Sequence, residues 1–157
     1  MRLLLALLLT SSLFAAEYPQ MGDDIYDPSA DAAVDIAAAL ATAQTTQKNV
    51  LLKFGANWCV WCHSLYGLMH DNAAVRAELE RNFVLVSVDV NTRNGSKRNV
   101  ATIEKYGNPT QHGLPVLVVL DTHGKILTTQ ETGALEAGSS HDPAKVIAFL
   151  QKWSPPR

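Results

Sequence analysis

The stretch GANWCVWCHSLYGLMHD, residues 55–71, contains both cysteines of the chain, Cys59 and Cys62. The two thiols are three positions apart, and His63 follows directly. This spacing is compatible with three chemistries: a redox-active dithiol, half of a zinc site, or a C-x-x-C-H attachment site for a covalent haem. The segments on either side of the stretch discriminate among them.

The composition predicts a single globular domain. The chain has 157 residues, of which 47% are hydrophobic and 18% are charged, and this is enough apolar material for a packed core. The formal net charge is −2, so the chain lacks the strongly basic field that is typical of nucleic-acid binding. We therefore expect no nucleic-acid partner.

The amino-terminal residues predict export. Residues 1–16 combine the basic Arg2, an apolar run and a small-residue end, which is the pattern of a secretory signal peptide. We interpret residues 17–28 as a flexible polar arm and residues 29–157 as the folded domain. The expected location is the periplasm or the medium, and an uncleaved leader would instead anchor the protein to the membrane. Disulfides persist in such oxidising compartments, yet one C-x-x-C bridge closes too small a loop to stabilise the fold much.

Hydrophobic periodicity and turn signals predict alternating helices and strands. The expected order is helix 29–47, strand 49–56, helix 59–81, strand 83–90, helix 100–106, strands 114–121 and 125–132, and a final helix from 142. Asp27-Pro28 and Asp142-Pro143 each look like an N-cap followed by proline at the first helical position. Strands separated by helices predict parallel crossovers, and the turn at 122–124 predicts a closing antiparallel hairpin.

Three features, in order along the chain, resemble the thioredoxin superfamily. The run LLKFGANWCVWC (51–62) resembles a strand leading into W-C-x-x-C at a helix start, and VLVSVDV (84–90) resembles the strand that follows. GLPVLVVLDTHGKIL (113–127) resembles the proline-initiated strand and hairpin of that family. The resemblance covers residues 30–153. It implies an α/β thioredoxin fold, with a central mixed sheet of parallel strands plus a C-terminal β-hairpin, flanked by helices.

The resemblance also implies which residues act. A helix that begins near Cys59 would place this sulfur beside unpaired backbone N–H groups and the positive end of the helix dipole, which favour a thiolate. Cys59 is then the attacking sulfur, and Cys62, one turn later, is the resolving sulfur. The family resemblance makes Leu114 and Pro115 contacts for an extended substrate chain and makes the bond between them cis. Trp61 either offers an apolar surface to a partner or packs under the helix.

The implied activity is disulfide exchange with protein substrates by an exported thiol–disulfide oxidoreductase. The Cys59–Cys62 pair needs no other cofactor for this chemistry. The expected partners are protein thiols or disulfides and a membrane or periplasmic redox partner, and the protein is expected to be a monomer. Isomerases of this kind usually carry a dimerisation domain, for which 157 residues leave no room, so we expect a reductase-like role.

Lys53 departs from the thioredoxin pattern, because the family carries a buried aspartate at the corresponding position. A lysine that points toward the sulfurs would favour the thiolate through charge attraction and would make the disulfide more oxidising than that of a cytosolic thioredoxin. Alternatively, its side chain reaches water or pairs with an acid.

Three other interpretations remain open at this stage. In a haem protein His63 would be one axial ligand, and Met69 or another histidine the second, but such cytochromes are usually helical. A zinc site would combine the cysteines with some of the scattered histidines, which are His63, His70, His112, His123 and His141. The third interpretation is a thioredoxin-fold binding or chaperone module, which would have no redox turnover. His63 and His112 are also candidates for tuning the thiolate.

Overall fold

The computed structural model describes residues 22–92 and 97–156. The helices are α1 (Ala32–Thr46), α2 (Val60–Asp71), α3 (Ala73–Asn82), α4 (Val100–Lys105) and α5 (Pro143–Lys152). The strands are β1 (Asn49–Gly55), β2 (Phe83–Asp89), β3 (Val116–Leu120), β4 (Ile126–Glu131), β5 (Glu136–Ala137) and β6 (Ser140–His141). Two short 3₁₀ helices span Pro109–His112 and Thr132–Leu135.

The main sheet has four strands in the order β2-β1-β3-β4. Strand β1 pairs with β2 in parallel and with β3 in antiparallel fashion, and β4 continues antiparallel to β3. The predicted mixed sheet and closing hairpin are therefore confirmed. The expectation that helix-separated strands all run parallel is wrong for β3, because the connection through α4 and a 3₁₀ helix returns the chain in the opposite direction.

Strand β1 divides the interior into two cores, because successive side chains of a strand point to opposite faces. Val50, Leu52 and Phe54 pack with α1 and α4 in one apolar cluster. Leu51 packs with α2, α3 and α5 in the other cluster. All seven residues of β1 are buried. Lys53 is two residues after Leu51, so its side chain lies on the same face of the sheet, which is covered by α2.

The single helix predicted over 59–81 is interrupted. Helix α2 ends at Asp71 and α3 begins at Ala73, with Asn72 between them in an extended conformation (φ −82°, ψ 110°). The Asn72 side chain accepts hydrogen bonds from the backbone N–H groups of Ala74 and Val75, at 3.1 Å each. Asparagine is a preferred N-cap residue because its side chain satisfies these otherwise unpaired donors. The cap therefore starts a second helix where the apolar periodicity alone predicts a continuous one.

The first helix also begins later than predicted. Asp31, not Asp27, is the N-cap of α1, and its carboxylate accepts from the N–H groups of Ala33 and Val34. Asp27 instead accepts hydrogen bonds from the backbone N–H and the hydroxyl of Ser29, in a turn ahead of the helix. At the other end of the domain the prediction is confirmed, since Asp142 caps α5 and Pro143 is its first residue.

The interpretation of residues 17–28 as a flexible arm is wrong for its last part. Tyr26 is only 2% exposed and packs against the two cysteines. Asn57 holds this segment with three hydrogen bonds, because its side chain accepts from the N–H groups of Ile25 and Tyr26 and donates to the Tyr26 carbonyl. The arm therefore closes the interior next to the C-x-x-C motif.

The predicted leader, residues 1–16, and the start of the arm, residues 17–21, lie outside the described residues. Within residues 22–92 and 97–156, no helix combines the length and the apolar character that crossing a membrane requires.

Candidate active site

The two cysteines lie at the start of α2. Cys59 is the N-cap of this helix, and Cys62 follows in its first turn. They form a disulfide with a Cα–Cα distance of 5.2 Å. The Sγ of Cys59 accepts a hydrogen bond from the backbone N–H of Cys62 at 3.2 Å. Such a donor, together with the positive end of the helix dipole, stabilises negative charge on the Cys59 sulfur once the disulfide is reduced.

The strand that precedes the motif positions Cys59. Strand β1 ends at Gly55, and a tight turn follows in which the Cys59 N–H donates to the carbonyl of Ala56 at 3.0 Å. The turn brings the chain from the centre of the sheet to its end and starts α2 there. The strand–turn–helix arrangement predicted for residues 51–62 is confirmed.

The loop before β3 passes beside the disulfide. The Leu114–Pro115 peptide bond is cis, and the Leu114 carbonyl oxygen lies 3.6 Å from Cys59 Sγ. Pro115 is buried, and its carbonyl accepts a hydrogen bond from the Thr132 hydroxyl at 2.7 Å. Leu114 and Pro115, which are about fifty residues from the motif in sequence, thus lie against it in space.

An open groove of about 650 Å³ runs past the Cys59 sulfur. Its lining comprises Trp58, Cys59, Val60, Trp61, Thr92, Thr110, Gly113 and Leu114. The position of Trp61 is compatible with both predicted roles, an apolar surface for a partner and packing within the domain. Its side chain lines the groove, and its ring also meets the His141 ring edge-on, with the centroids 5.7 Å apart.

Lys53 lies in the interior behind the disulfide. The residue is 1% exposed, and its Nζ lies 4.6 Å from the ring centroid of Tyr26 and 5.0 Å from that of Tyr66. Burial lowers the pKa of Lys53 to about 8. In the part of the chain that the structure describes, no carboxylate forms an ion pair with it. The side chain therefore neither reaches water nor pairs with an acid, and its effect on the thiolate stays a prediction.

Tyr26 is the residue of this site that the sequence analysis missed. Its hydroxyl and the Cys62 sulfur approach the same point above Gly55, where an added Cβ would overlap the hydroxyl and lie 2.7 Å from Cys62 Sγ. Burial raises the pKa of Tyr26 far above its usual value, and the negative charge of Asp89 adds to the shift. The hydroxyl therefore stays protonated. A tyrosine in a polar, turn-rich segment gives no periodic signal by which its burial could be predicted.

The five histidines do not converge. His63 places Nε2 2.8 Å from the Asn57 carbonyl oxygen, and the buried His141 places Nδ1 3.3 Å from the Ser64 hydroxyl. His112 is exposed at the end of its 3₁₀ helix, and His70 stacks on Tyr66. Among the described residues, no group of three or more His, Cys, Asp or Glu side chains is arranged to hold a metal ion.

The fold and the dithiol together define a class of protein. The sequence pattern of the Thioredoxin-like family matches residues 31–122, which is more than half of the chain. The chain belongs to this thioredoxin-like family, and with its C-x-x-C pair it is of the thiol–disulfide oxidoreductase type.

Individual relatives agree with this assignment. A solved structure described as the disulphide isomerase of Xylella fastidiosa Temecula1 is 33% identical, with a TM-score of 0.73, and the match covers 83% of this chain and 96% of that chain. The oxidised C-terminal domain of DsbD from Neisseria meningitidis is 22% identical with a TM-score of 0.58, covering 79% of this chain and 97% of that domain, and it shows the shared fold.

A curated relative is the thiol:disulfide interchange protein DsbD of Vibrio vulnificus strain CMCP6. It is 33% identical over 104 residues, which make up 66% of this chain and 16% of DsbD. The chain thus spans less than a fifth of the length of that relative.

Proposed function

We propose that this protein exchanges disulfides with protein substrates, with Cys59 as the attacking sulfur and Cys62 as the resolving sulfur. The observation that carries the proposal is the asymmetry of the pair. Cys59 caps a helix, accepts the Cys62 N–H and lines the groove. Cys59 is 6% exposed, whereas Cys62 lies behind it at 0% exposure. An accessible, stabilised thiolate is the nucleophile in such exchange, and a neighbouring thiol completes the reaction.

In the reducing direction, the Cys59 thiolate attacks one sulfur of a substrate disulfide. The substrate S–S bond breaks, its other sulfur leaves as a thiolate, and a mixed disulfide joins Cys59 to the substrate. Cys62 then loses its proton and attacks the Cys59 sulfur, which releases the second substrate thiolate. Two electrons have passed to the substrate, and the Cys59–Cys62 disulfide has formed. This chemistry requires no cofactor besides the dithiol.

The groove supplies the binding surface for the substrate chain. Trp61 offers an apolar wall, and the Leu114 loop lies opposite, with its carbonyl oxygen 3.6 Å from the reacting sulfur. An extended substrate segment that lies along Leu114 and Pro115 would present its own cystine to Cys59.

The proposal also includes the direction of electron flow and the location of the protein. We assign a reductase-like role in which a membrane or periplasmic donor keeps the dithiol reduced, and we place the protein outside the cytoplasm as a monomer. The relative described as a disulphide isomerase makes isomerisation the alternative outcome of the test. A binding or chaperone module without turnover is the alternative from another class.

The experiment compares three assays on the mature protein. With dithiothreitol as the electron source, the wild type is expected to accelerate the reduction of insulin, and Cys59→Ser to leave only the uncatalysed rate. Refolding of a scrambled disulfide protein and oxidation of a reduced one serve as the isomerase and oxidase arms. Equal activity of the wild type and Cys59→Ser in all three arms would contradict disulfide exchange and leave the binding-module alternative.

A further inference from the structure

The hydroxyl of Tyr26 is buried next to the redox pair. Within the described part of the chain, it forms no hydrogen bond. The three hydrogen bonds between Asn57 and the arm fix the backbone of Ile25 and Tyr26 and so direct the tyrosine ring inward. A buried hydroxyl without a partner is unfavourable, and each such group in a native protein calls for an explanation.

The position of this hydroxyl is set by Gly55. A Cβ on Gly55 would overlap the Tyr26 hydroxyl and would lie 2.7 Å from Cys62 Sγ, so both groups occupy the space beside this glycine. Only a glycine at the end of β1 allows both groups to come this close. The Cys62 sulfur changes its hydrogen-bonding capacity during the reaction, because a disulfide sulfur accepts poorly and a thiolate accepts strongly.

We propose that Tyr26 is a positioning residue that donates its hydroxyl hydrogen to the Cys62 sulfur when the disulfide opens, and thereby stabilises the reduced form. This inference rests on the proposed exchange function and adds that the amino-terminal arm sets the redox potential. A glutathione thiolate attacks the Cys59 sulfur, the Cys59–Cys62 bond breaks, and Cys62 leaves as a thiolate. A second glutathione thiolate then releases Cys59 as glutathione disulfide forms, so two electrons have entered the pair and the Cys62 sulfur has become an acceptor. The hydroxyl, unpaired in the oxidised protein, is then satisfied.

The surroundings of Tyr26 are consistent with a donor role. The Lys53 amine faces the Tyr26 ring from β1, and the Tyr66 ring faces the same amine from α2. Burial raises the pKa of the Tyr26 hydroxyl, the negative charge of Asp89 at the end of β2 adds to the shift, and the hydroxyl therefore stays protonated. The reduced sulfur of Cys62 is therefore close to a neutral donor whose proton is not lost at the working pH.

The test is the reduction potential of Tyr26→Phe, measured by equilibrium with glutathione on the full folded protein. Loss of the donor is expected to shift the equilibrium about tenfold toward the disulfide, which is about 30 mV toward more negative potential. In a Cys59→Ser background, the pKa of the Cys62 thiol is expected to rise on Tyr26→Phe. Tyr106→Phe is the matched control, since Tyr106 is a buried tyrosine of the core on the opposite face of the sheet and should leave the potential unchanged.

Denaturant unfolding provides a second measurement that a general packing defect would not imitate. Tyr26→Phe is expected to destabilise the reduced protein relative to the oxidised one. Equal effects on both oxidation states, or a potential equal to that of the wild type, would overturn the inference while leaving disulfide exchange intact. A wild-type protein that does not equilibrate with glutathione would instead overturn the exchange function, and this inference with it.

Discussion

The two sulfurs of the disulfide have different surroundings. On the Cys59 side lies a groove with a tryptophan wall and the Leu114 carbonyl, open to a partner. On the Cys62 side lies a closed interior with the Tyr26 hydroxyl, and behind it the Lys53 amine between two aromatic rings. The open side is made of the features that the thioredoxin resemblance implies. The closed side holds a lysine where that family has an acid, and a tyrosine from the arm.

The two sides should therefore affect different properties: the Cys59 side the rate of reaction with a substrate, and the Cys62 side the reduction potential of the disulfide. In the proposed exchange, access and helix placement decide which sulfur reacts with a substrate, and they favour Cys59. The relative stability of the oxidised and reduced forms depends on every group that interacts differently with the two forms, and on the closed side we expect these to be Tyr26 and Lys53. Substitutions on the two sides should therefore have different readouts.

The largest expected effect concerns the two sulfurs themselves. Cys62→Ser leaves a stabilised thiolate at Cys59, which lines the groove, so the reduced variant should react rapidly with a small aromatic disulfide and retain a mixed disulfide. Cys59→Ser leaves only the buried Cys62, whose reaction should be slower by about a hundredfold or more. Both rates are measured by stopped-flow absorbance, and the two variants are matched because each replaces one cysteine by serine. Similar rates for the two variants would contradict the asymmetry between the open and the closed side.

The next effect is on stability and comes from the closed side. Burial lowers the pKa of Lys53 from its ordinary value of 10.5 to about 8. Between these values the unfolded chain binds more protons than the folded protein, so the free energy of unfolding rises with pH across this window. Below about pH 8 the full penalty is present, on the order of 3 kcal/mol. Lys53→Met should remove the penalty and stabilise the oxidised protein by about this amount at pH 7.

Urea unfolding of the wild type and Lys53→Met at a series of pH values isolates this contribution. The stability difference should shrink as the pH rises from about 8 toward 10.5. Lys105→Met is the matched control, because Lys105 also faces a tyrosine ring, with Nζ 5.5 Å from the Tyr106 centroid, but is exposed. A pH-independent difference for Lys53→Met would mean that the amine is not held in the interior.

The smallest effect belongs to the open side. Trp61→Ala removes an apolar wall of the groove but leaves the sulfur and its helix in place, so KM for a protein disulfide should rise about three- to tenfold. The rate with a small disulfide should stay close to that of the wild type. Val34→Ala, a change at an exposed apolar residue of α1, provides a control for surface truncation. Equal losses with small and protein disulfides would assign Trp61 to the packing of α2 against His141 instead.

The arrangement of the open side was predicted from the resemblance to the thioredoxin superfamily. A β-rich run, W-C-x-x-C and a proline-led strand lie in an order that determines strand, turn and helix around Cys59. The break at Asn72 could also have been read from its N-cap chemistry, but the apolar spacing across it is helical on both sides. The spacing of apolar residues gives no signal of such a cap.

The rest depended on contacts between distant segments. The direction of β3 is decided by how the chain returns after α4, and no residue of the strand itself carries that information. The docking of Tyr26 depends on Asn57, about thirty residues away, and on the space above Gly55. Since Tyr26 supplies one of the two rings that face the Lys53 amine, the surroundings of Lys53 depend on the same contacts. A lysine in a buried strand was visible in the sequence, but its aromatic neighbours were not.

The most direct test of the account is the reduction potential of the Cys59–Cys62 pair in the wild-type protein, measured against a glutathione redox buffer. We expect a reversible two-electron equilibrium with a potential between about −270 and −180 mV, less negative than that of thioredoxin because Tyr26 and Lys53 favour the reduced form. A value near −120 mV would mark an oxidant and contradict the reductase-like role. A pair that does not equilibrate would contradict the exchange function itself.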